Sequence, residues 1–325
     1  MFAFSLQTVA FLAALLSAAN ASPCTPKTTV TGCGKALPHG QSKGGVTSVN
    51  ITSNGLGRNY LVFVPPTYNK DKPTQLILSY HGGTKTALQQ LQLDDLTEPE
   101  FNTDSFVVYP QGINNSWQGV PGVTIDDVLF TNDLLDHVQT QYCIDAQRIM
   151  ATGKSDGAGF NNVMACDAGL SKRVAAFAPV SGAYYVDTLP CDADNVVIPC
   201  NNARSDIPIL AFHGGLDAVI YYPGGERKNA CLPSVPHWIQ SWATREGLDA
   251  KNHTVPYANA TVIYEYSSAT EKNLVNLVYD SVNGHDWPST LPNADNENAG
   301  QFPTSFNATP MIMDFFSKHQ LTKVL

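Results

Sequence analysis

Ser155 stands in Gly153-Lys154-Ser155-Asp156-Gly157, between a strand-like run at 148–152 and a small-residue helix start. A serine placed this way occupies a sharp strand-to-helix turn, in which the positions two before and two after it must be nearly free of side chain. Such a turn lifts the hydroxyl above the sheet edge. A serine hydroxyl is a poor nucleophile at neutral pH, so the chemistry requires an imidazole to take its proton and a carboxylate to hold that imidazole in the right tautomer. Both occur later in the chain, each after an apolar run. The run at 207–212 leads into His213-Gly-Gly-Leu-Asp217, and the run at 273–279 leads to Asn283-Gly-His285. The order serine, Asp217, His285 is the one a nucleophile turn of this kind imposes. Asp206 precedes its strand and would face the other sheet edge, and Asp187 and Asp194 lie in a cysteine-flanked insertion, so Asp217 is the acid. The other seven histidines do not lie both after the acid and directly behind a late strand. Two of them, His81 and His213, are read as bracing glycine-rich loops.

The developing oxyanion of an acyl transfer needs preorganised N–H donors. The buried run at 75–80 ends in His81-Gly82-Gly83-Thr84, so the N–H groups of Gly83 and Asp156 are the expected pair, with Thr84 as the alternative. No metal and no organic cofactor is required, and His81 and His213 have no second ligand at zinc spacing. An aromatic acyl group would need an apolar slot. Trp117, Trp287 and Tyr184 are the candidates to line it, with Tyr185 beside them, whereas Trp238 and Trp242 share a helix face and are read as core.

Positioning these residues takes a sheet. Strands are predicted at 59–64, 75–80, 106–109, 148–152, 174–178, 207–212, 261–266 and 274–279, with helices at 126–138, 158–166, 236–245 and 310–318. Apolar strands separated by helices imply an α/β protein with a mainly parallel sheet covered on both faces. A chain of 325 residues, 43% hydrophobic and 14% charged, is expected to form one domain over 22–325. Its net charge of −9 argues against nucleic acid or an anionic membrane as partner.

The apolar run at 9–16 is too short to span a bilayer, and Ala19-Asn20-Ala21 follows it in a small-x-small pattern. Residues 1–21 therefore read as a signal peptide of a secreted, extracellular protein. Five sequons, at Asn50, Asn114, Asn252, Asn259 and Asn307, are candidates for glycosylation. Seven cysteines in an oxidising compartment imply up to three disulfides. The expected pairings are Cys24 with Cys33, Cys191 with Cys200, and Cys143 with Cys166, leaving Cys231 over or bridged to one of the others.

Cys33-Gly-Lys35, Tyr80-His-Gly-Gly83, Asp126-Asp127-Val128, the Ala151 to Gly157 run and Asn283-Gly-His-Asp-Trp287 together resemble fungal secreted feruloyl esterases. Their carbohydrate esterase group also holds acetyl xylan esterases and polyhydroxybutyrate-depolymerase-like esterases, which are the alternative readings. The resemblance implies an α/β-hydrolase fold with Ser155, Asp217 and His285 as nucleophile, acid and base. It also implies hydrolysis of small hydroxycinnamate esters and of feruloylated arabinoxylan or pectin fragments. Many depolymerase-type relatives carry Cys after His-Gly, where this chain has Gly83. The non-enzymatic alternative, an inactive polysaccharide-binding relative, would have been free to lose one of the three residues.

Overall fold

The computed structural model describes residues 1, 32–200, 203–269, 274–297 and 302–322. The proposed signal peptide and Cys24 lie outside the described residues. Twelve strands occur among those described: β1 (Val46–Ser53), β2 (Leu56–Phe63), β3 (Thr74–Tyr80), β4 (Phe106–Pro110), β5 (Ile144–Lys154), β6 (Ala176–Val180), β7 (Ile209–Gly214), β8 (Gly225–Arg227), β9 (Ala230–Leu232), β10 (His253–Ala258), β11 (Thr261–Tyr266) and β12 (Val275–Asp280). The helices are α1 (Ala87–Asp94), α2 (Asp127–Gln141), α3 (Asp156–Cys166), α4 (Val235–Arg245) and α5 (Ala308–Ser317).

Ten strands form one sheet in the order β1-β2-β4-β3-β5-β6-β7-β12-β11-β10. The stretch from β4 to β12 is parallel, and antiparallel strands complete both flanks. This is the α/β-hydrolase arrangement. The central parallel strands are largely apolar and buried because both faces of the sheet are covered. Leu76, Leu78 and Tyr80 of β3 share one core with Phe130 and Leu134 of α2, Phe160 of α3 and Trp238 of α4. Ile77, on the opposite face, packs in a second core with Leu93 of α1 and Ile312 and Phe316 of α5. Ser155, Asp217 and His285 follow the C-terminal ends of β5, β7 and β12, which are brought to one edge by the parallel pairing.

The disulfides differ from all three expected pairings. Cys33 bonds to Cys143, Cys166 to Cys200, and Cys191 to Cys231, with Cα separations of 4.1, 4.7 and 4.8 Å. Two of the expected pairings rest on short local loops and the third on the helix after Ser155 returning to the start of its strand, but a bond requires the two Cα atoms to be brought within reach by the whole fold. Gly32 packs against the Tyr142 backbone, which sets Cys33 beside Cys143 and takes that residue from Cys166. The two ends of the insertion attach to different elements. Cys191 ties to β9, where Val186 also forms a backbone bridge with Cys231, while Cys200 ties to the end of α3.

Of the sequons, Asn50, Asn114 and Asn259 are exposed. Asn252 and Asn307 are partly buried, and the Asn307 side chain accepts from Thr290 N–H and Oγ1. Among the described residues no helix is long and apolar enough to cross a membrane.

Candidate active site

β5 ends at Lys154 and α3 begins at Asp156, so Ser155 alone turns the chain from strand to helix. It does so at φ 55° and ψ −120°, a conformation that side chains other than glycine rarely adopt. The flanking glycines permit it. A Cβ on Gly157 would sit against the Tyr80 and His81 carbonyl oxygens, and one on Gly153 would stand 2.6 Å from Tyr80 O. The turn is held from below by Ser155 N–H donating to Val180 O at 3.0 Å and from above by Ala183 N–H donating to Ser155 O.

Asp217 and His285 meet across 68 residues of sequence. His285 Nδ1 donates to Asp217 Oδ2 at 2.7 Å, which leaves Nε2 as the basic nitrogen of the imidazole. The other carboxylate oxygen, Oδ1, accepts from Val219 N–H at 2.8 Å and Ile220 N–H at 2.7 Å. Burial pushes the Asp217 carboxyl upward. The His285 hydrogen bond and the charges of His285 and His213 outweigh it and hold the group below the ordinary carboxylate value. An ionised acid that aims a histidine by one oxygen and is itself fixed by two backbone donors matches the orienting role that general-base catalysis by histidine needs. Asp187, Asp194 and Asp206 are all exposed.

The loop bearing His285 is anchored on both sides. Asp280 Oδ1 accepts from Val282 and Asn283 N–H, and Leu216 N–H donates to Asn283 O. Beyond the histidine, Trp287 N–H donates to Asp295 Oδ2 at 2.9 Å, and the same oxygen accepts Lys154 Nζ at 2.6 Å. Lys154 precedes the nucleophile directly, so this buried ion pair joins the serine turn to the histidine loop. Between them, Asp286 has its carboxyl pushed up to about 6, first by burial and then by the neighbouring charge of Asp295.

His81 braces the Gly82–Thr84 loop in neutral form. Its Nδ1–H donates to Gly82 O at 2.8 Å while Nε2 accepts from Gly112 N–H at 3.0 Å. Burial lowers its pKa to about 4, against the opposing effect of the Gly82 bond. Gly83 approaches Asp156 so closely that a Cβ there would overlap the Asp156 carboxylate. Thr84 N–H donates to Asn115 O at 2.8 Å, so the Thr84 alternative is already engaged. Gly83 and Asp156 border the same cavity as Ser155. His213 Nε2 faces Ile220 O at 2.8 Å and lies 3.4 Å from Asp217, behind the acid.

Ser155 and His285 open onto a cavity of about 460 Å³, lined also by Gly83, Asp156, Gln89, Gln90, Leu93 and Val219. The three aromatic candidates are elsewhere. Trp117 is fully buried and donates from Nε1 to His81 O at 2.8 Å. Trp287 is fully buried with Nε1 on Thr309 Oγ1 at 3.0 Å. Tyr184 stacks on Trp238 with ring centroids 3.8 Å apart and, with Tyr185, borders a separate cavity of about 500 Å³. These rings build the walls that hold the loops rather than the wall a substrate meets. The lining comes instead from α1 and from the β8–β9 hairpin, which sequence periodicity did not indicate.

No family model matches the chain. Feruloyl esterase D of Neurospora crassa is 28% identical over 242 residues, which cover 69% of this chain and 76% of that protein. Probable feruloyl esterase C of Aspergillus niger is 27% identical over 215 residues, covering 60% and 72%. The chain is similar to fungal feruloyl esterases. An acetyl xylan esterase from Aspergillus awamori superimposes with a TM-score of 0.58 at 16% identity, over 84% of this chain and 99% of that one, a likeness of fold. Lys154 and Asp295 are the site residues that sequence reasoning passed over. The signal for Lys154 was its place next to the nucleophile, where a lysine must either reach solvent or find a buried carboxylate.

Proposed function

We propose that the chain is a serine carboxylic ester hydrolase of the feruloyl esterase kind, acting on ferulate and related hydroxycinnamate esters of plant cell-wall polysaccharide. The observation that carries this reading is the strained Ser155 turn opening on the same cavity as an imidazole held at 2.7 Å by a buried carboxylate. In this mechanism His285 Nε2 takes the Ser155 proton as Oγ attacks the ester carbonyl carbon. The N–H groups of Gly83 and Asp156 receive the oxyanion, and Asp217 stabilises the imidazolium. His285 then returns the proton to the leaving sugar oxygen, and water repeats the sequence on the acyl-enzyme. The acyl group lies against Leu93 and Val219, with the exposed Gln89 amide as the polar partner for its phenolic hydroxyl.

Sequence similarity to named feruloyl esterases supports the acyl choice, and the acetyl xylan esterase fold neighbour keeps acetyl esters as the second reading. Three disulfides fit an extracellular protein. Removal of residues 1–21 and a single catalytic domain over 22–325 complete the proposal. The test is wild-type and Ser155→Ala protein assayed on methyl ferulate, methyl p-coumarate, methyl caffeate, acetylated xylan and a polyhydroxybutyrate film. Hydroxycinnamate turnover lost in the variant is the expected result. Turnover confined to acetyl or polyester substrates would reassign the acyl group, and an undiminished rate in Ser155→Ala would remove the nucleophile.

A further inference from the structure

The charges around the cavity are of the opposite sign to those of the whole chain. The protein carries a net charge of −9, yet the groups lining this cavity include Lys85, Lys154, Arg227 and Lys228 against only Asp156 and Asp295. Lys154 and Asp295 neutralise one another in the buried pair. The remaining three cations face one carboxylate. Lys228 Nζ is 3.5 Å from Asp156 Oδ2, and among the described residues neither Lys85 nor Arg227 has a carboxylate partner. A surplus of positive charge has therefore been kept at the mouth of the site in an acidic protein.

Two of the cations are held there by construction. Lys228 and Asn229 take φ of 50° and 56°, a two-residue turn with both residues left-handed, which closes the β8–β9 hairpin tightly and puts Lys228 at its tip. Arg227 Nε donates to Tyr185 OH at 3.1 Å, and Lys228 Nζ sits 5.5 Å from the same ring. At its base the hairpin is tied by the Cys191–Cys231 disulfide and the backbone bridge from Cys231 to Val186. Lys85, exposed, lines the same cavity from the loop that follows Gly82 and Gly83.

We propose that Lys85, Arg227 and Lys228 form a subsite for a carboxylate on the alcohol side of the ester, so that the preferred substrates are acylated glycans bearing uronic acids. The assignment to the alcohol side rests on the function proposed above. A hydroxycinnamoyl group is uncharged apart from the ester itself, so the anion near the scissile bond comes from the sugars. A cluster of cations at a cavity mouth, here two exposed and one partly buried, raises the local concentration of anionic substrate and acts on KM more than on kcat.

The experiment compares carboxymethyl ferulate with its neutral isostere, carbamoylmethyl ferulate. At low ionic strength wild-type protein is expected to favour the carboxylate ester by about 5-fold in kcat/KM, through KM, as two or three partly exposed charge pairs would give. In 0.5 M salt, with a screening length of a few ångströms, the ratio should approach one. Lys228→Gln and Lys85→Gln should each lower the ratio, and Lys228→Glu should bring it below one. A wild-type ratio near one, or a ratio unchanged by all three substitutions, overturns the subsite. A second arm reads the subsite without regard to the acyl group: calorimetric binding of trigalacturonate and of neutral arabinotriose to Ser155→Ala protein. Tighter trigalacturonate binding that is lost in Ser155→Ala/Lys228→Glu supports the subsite even if neither ferulate ester turns over, and equal binding of the two sugars opposes it.

Discussion

Asp217 makes hydrogen bonds through both carboxylate oxygens, and only one of them serves His285. Asp217→Asn would keep the shape but present an amide of which one end is a donor. Because the Val219 and Ile220 N–H groups demand the oxygen, the NH2 group turns to His285 and forces the wrong tautomer. The expected result is a kcat lower by about 10⁴, with KM little changed, in steady-state kinetics on methyl ferulate; a loss below tenfold would remove Asp217 as the acid. His81 acts on the fold instead. Its pKa falls from 6.5 to about 4 on folding, so above pH 6.5 both folded and unfolded chains are neutral there and nothing is lost. As the pH drops below 6.5 the unfolded chain takes up a proton that the folded one refuses, and stability declines until about pH 4. At 1.36 kcal/mol per pKa unit this is about 3 kcal/mol in all. The destabilisation caused by His81→Gln should therefore be smaller at pH 4.5 than at pH 7 by about 2–3 kcal/mol in urea unfolding. Equal costs at the two pH values would contradict the buried neutral state. The pairing of Asp217 with His285, and the placing of His285 on the same cavity as Ser155, were legible in the sequence because the proposed chemistry needs those types in that order. Trp117, Trp287 and Tyr184 were misplaced because residue type carries bulk but not direction, and each ring turns into the core behind the loop it was meant to project from.

Among the elements, the parallel strands were readable and the edges were not. β3, β4, β6 and β7 are buried at every position, so their apolar runs announce them. β1 is an edge strand of Val, Thr, Ser and Asn with one Ile, whose residues alternate between exposed and part-buried up to the buried Ser53, and its polar content resembles that of a loop. α1 is eight residues with three glutamines, but Thr86 and Gln89 form a reciprocal capping box whose T-x-x-Q spacing was present in the sequence. The edge is secured by a contact that periodicity does not encode. Arg58 of β2 donates from Nη2 to Asp127 Oδ1 at 2.7 Å, at the start of α2, with both side chains buried and the guanidinium 3.6 Å from the Phe130 ring centroid. Asp127 Oδ2 accepts from Gln118 N–H at 2.8 Å, which orders the loop holding Trp117. Arg58→Met would leave that carboxylate buried without its cation and should cost about 3–5 kcal/mol in chemical denaturation. Adding Asp127→Asn should recover part of that loss, since the amide oxygen still accepts from Gln118 while the charge is gone. A double variant no more stable than Arg58→Met would show that the pair contributes by packing alone.

At the scale of the molecule, one covalent tie sits at the start of the strand that leads to Ser155 and another on the hairpin beside the cavity. Cys143 immediately precedes β5 and bonds to Cys33, across a sequence separation of 110, while Ser155 immediately follows β5. β5 pairs with β3 from Thr74 to Tyr80, with a bulge between Ile144 and Ile149, so this bond lies roughly 20 Å along the sheet from Ser155. Cys191–Cys231, with a separation of 40, holds the hairpin that lines the cavity. Chain entropy assigns the two ties similar worth, about 5 and about 4 kcal/mol, because loop closure grows only as the logarithm of length. Position, then, should separate them where stability does not. Cys143 is also held by its N–H donating to Tyr68 OH and by its carbonyl accepting from Thr74 N–H, so the start of β5 keeps its place without the bond. Cys33→Ala/Cys143→Ala is expected to lower Tm by about 5–15 °C while leaving kcat/KM on methyl ferulate within twofold at 25 °C. Cys191→Ala/Cys231→Ala should lower Tm comparably and also raise KM, because the hairpin that carries Arg227 and Lys228 loses its covalent anchor and is left with non-covalent ties, the backbone bridge at Val186 and the Arg227–Tyr185 hydrogen bond. Calorimetry and kinetics on both variants decide the matter. Equal changes in KM would mean that the two ends of the sheet are coupled through β5, and that the cavity wall depends on the whole fold rather than on its own staple.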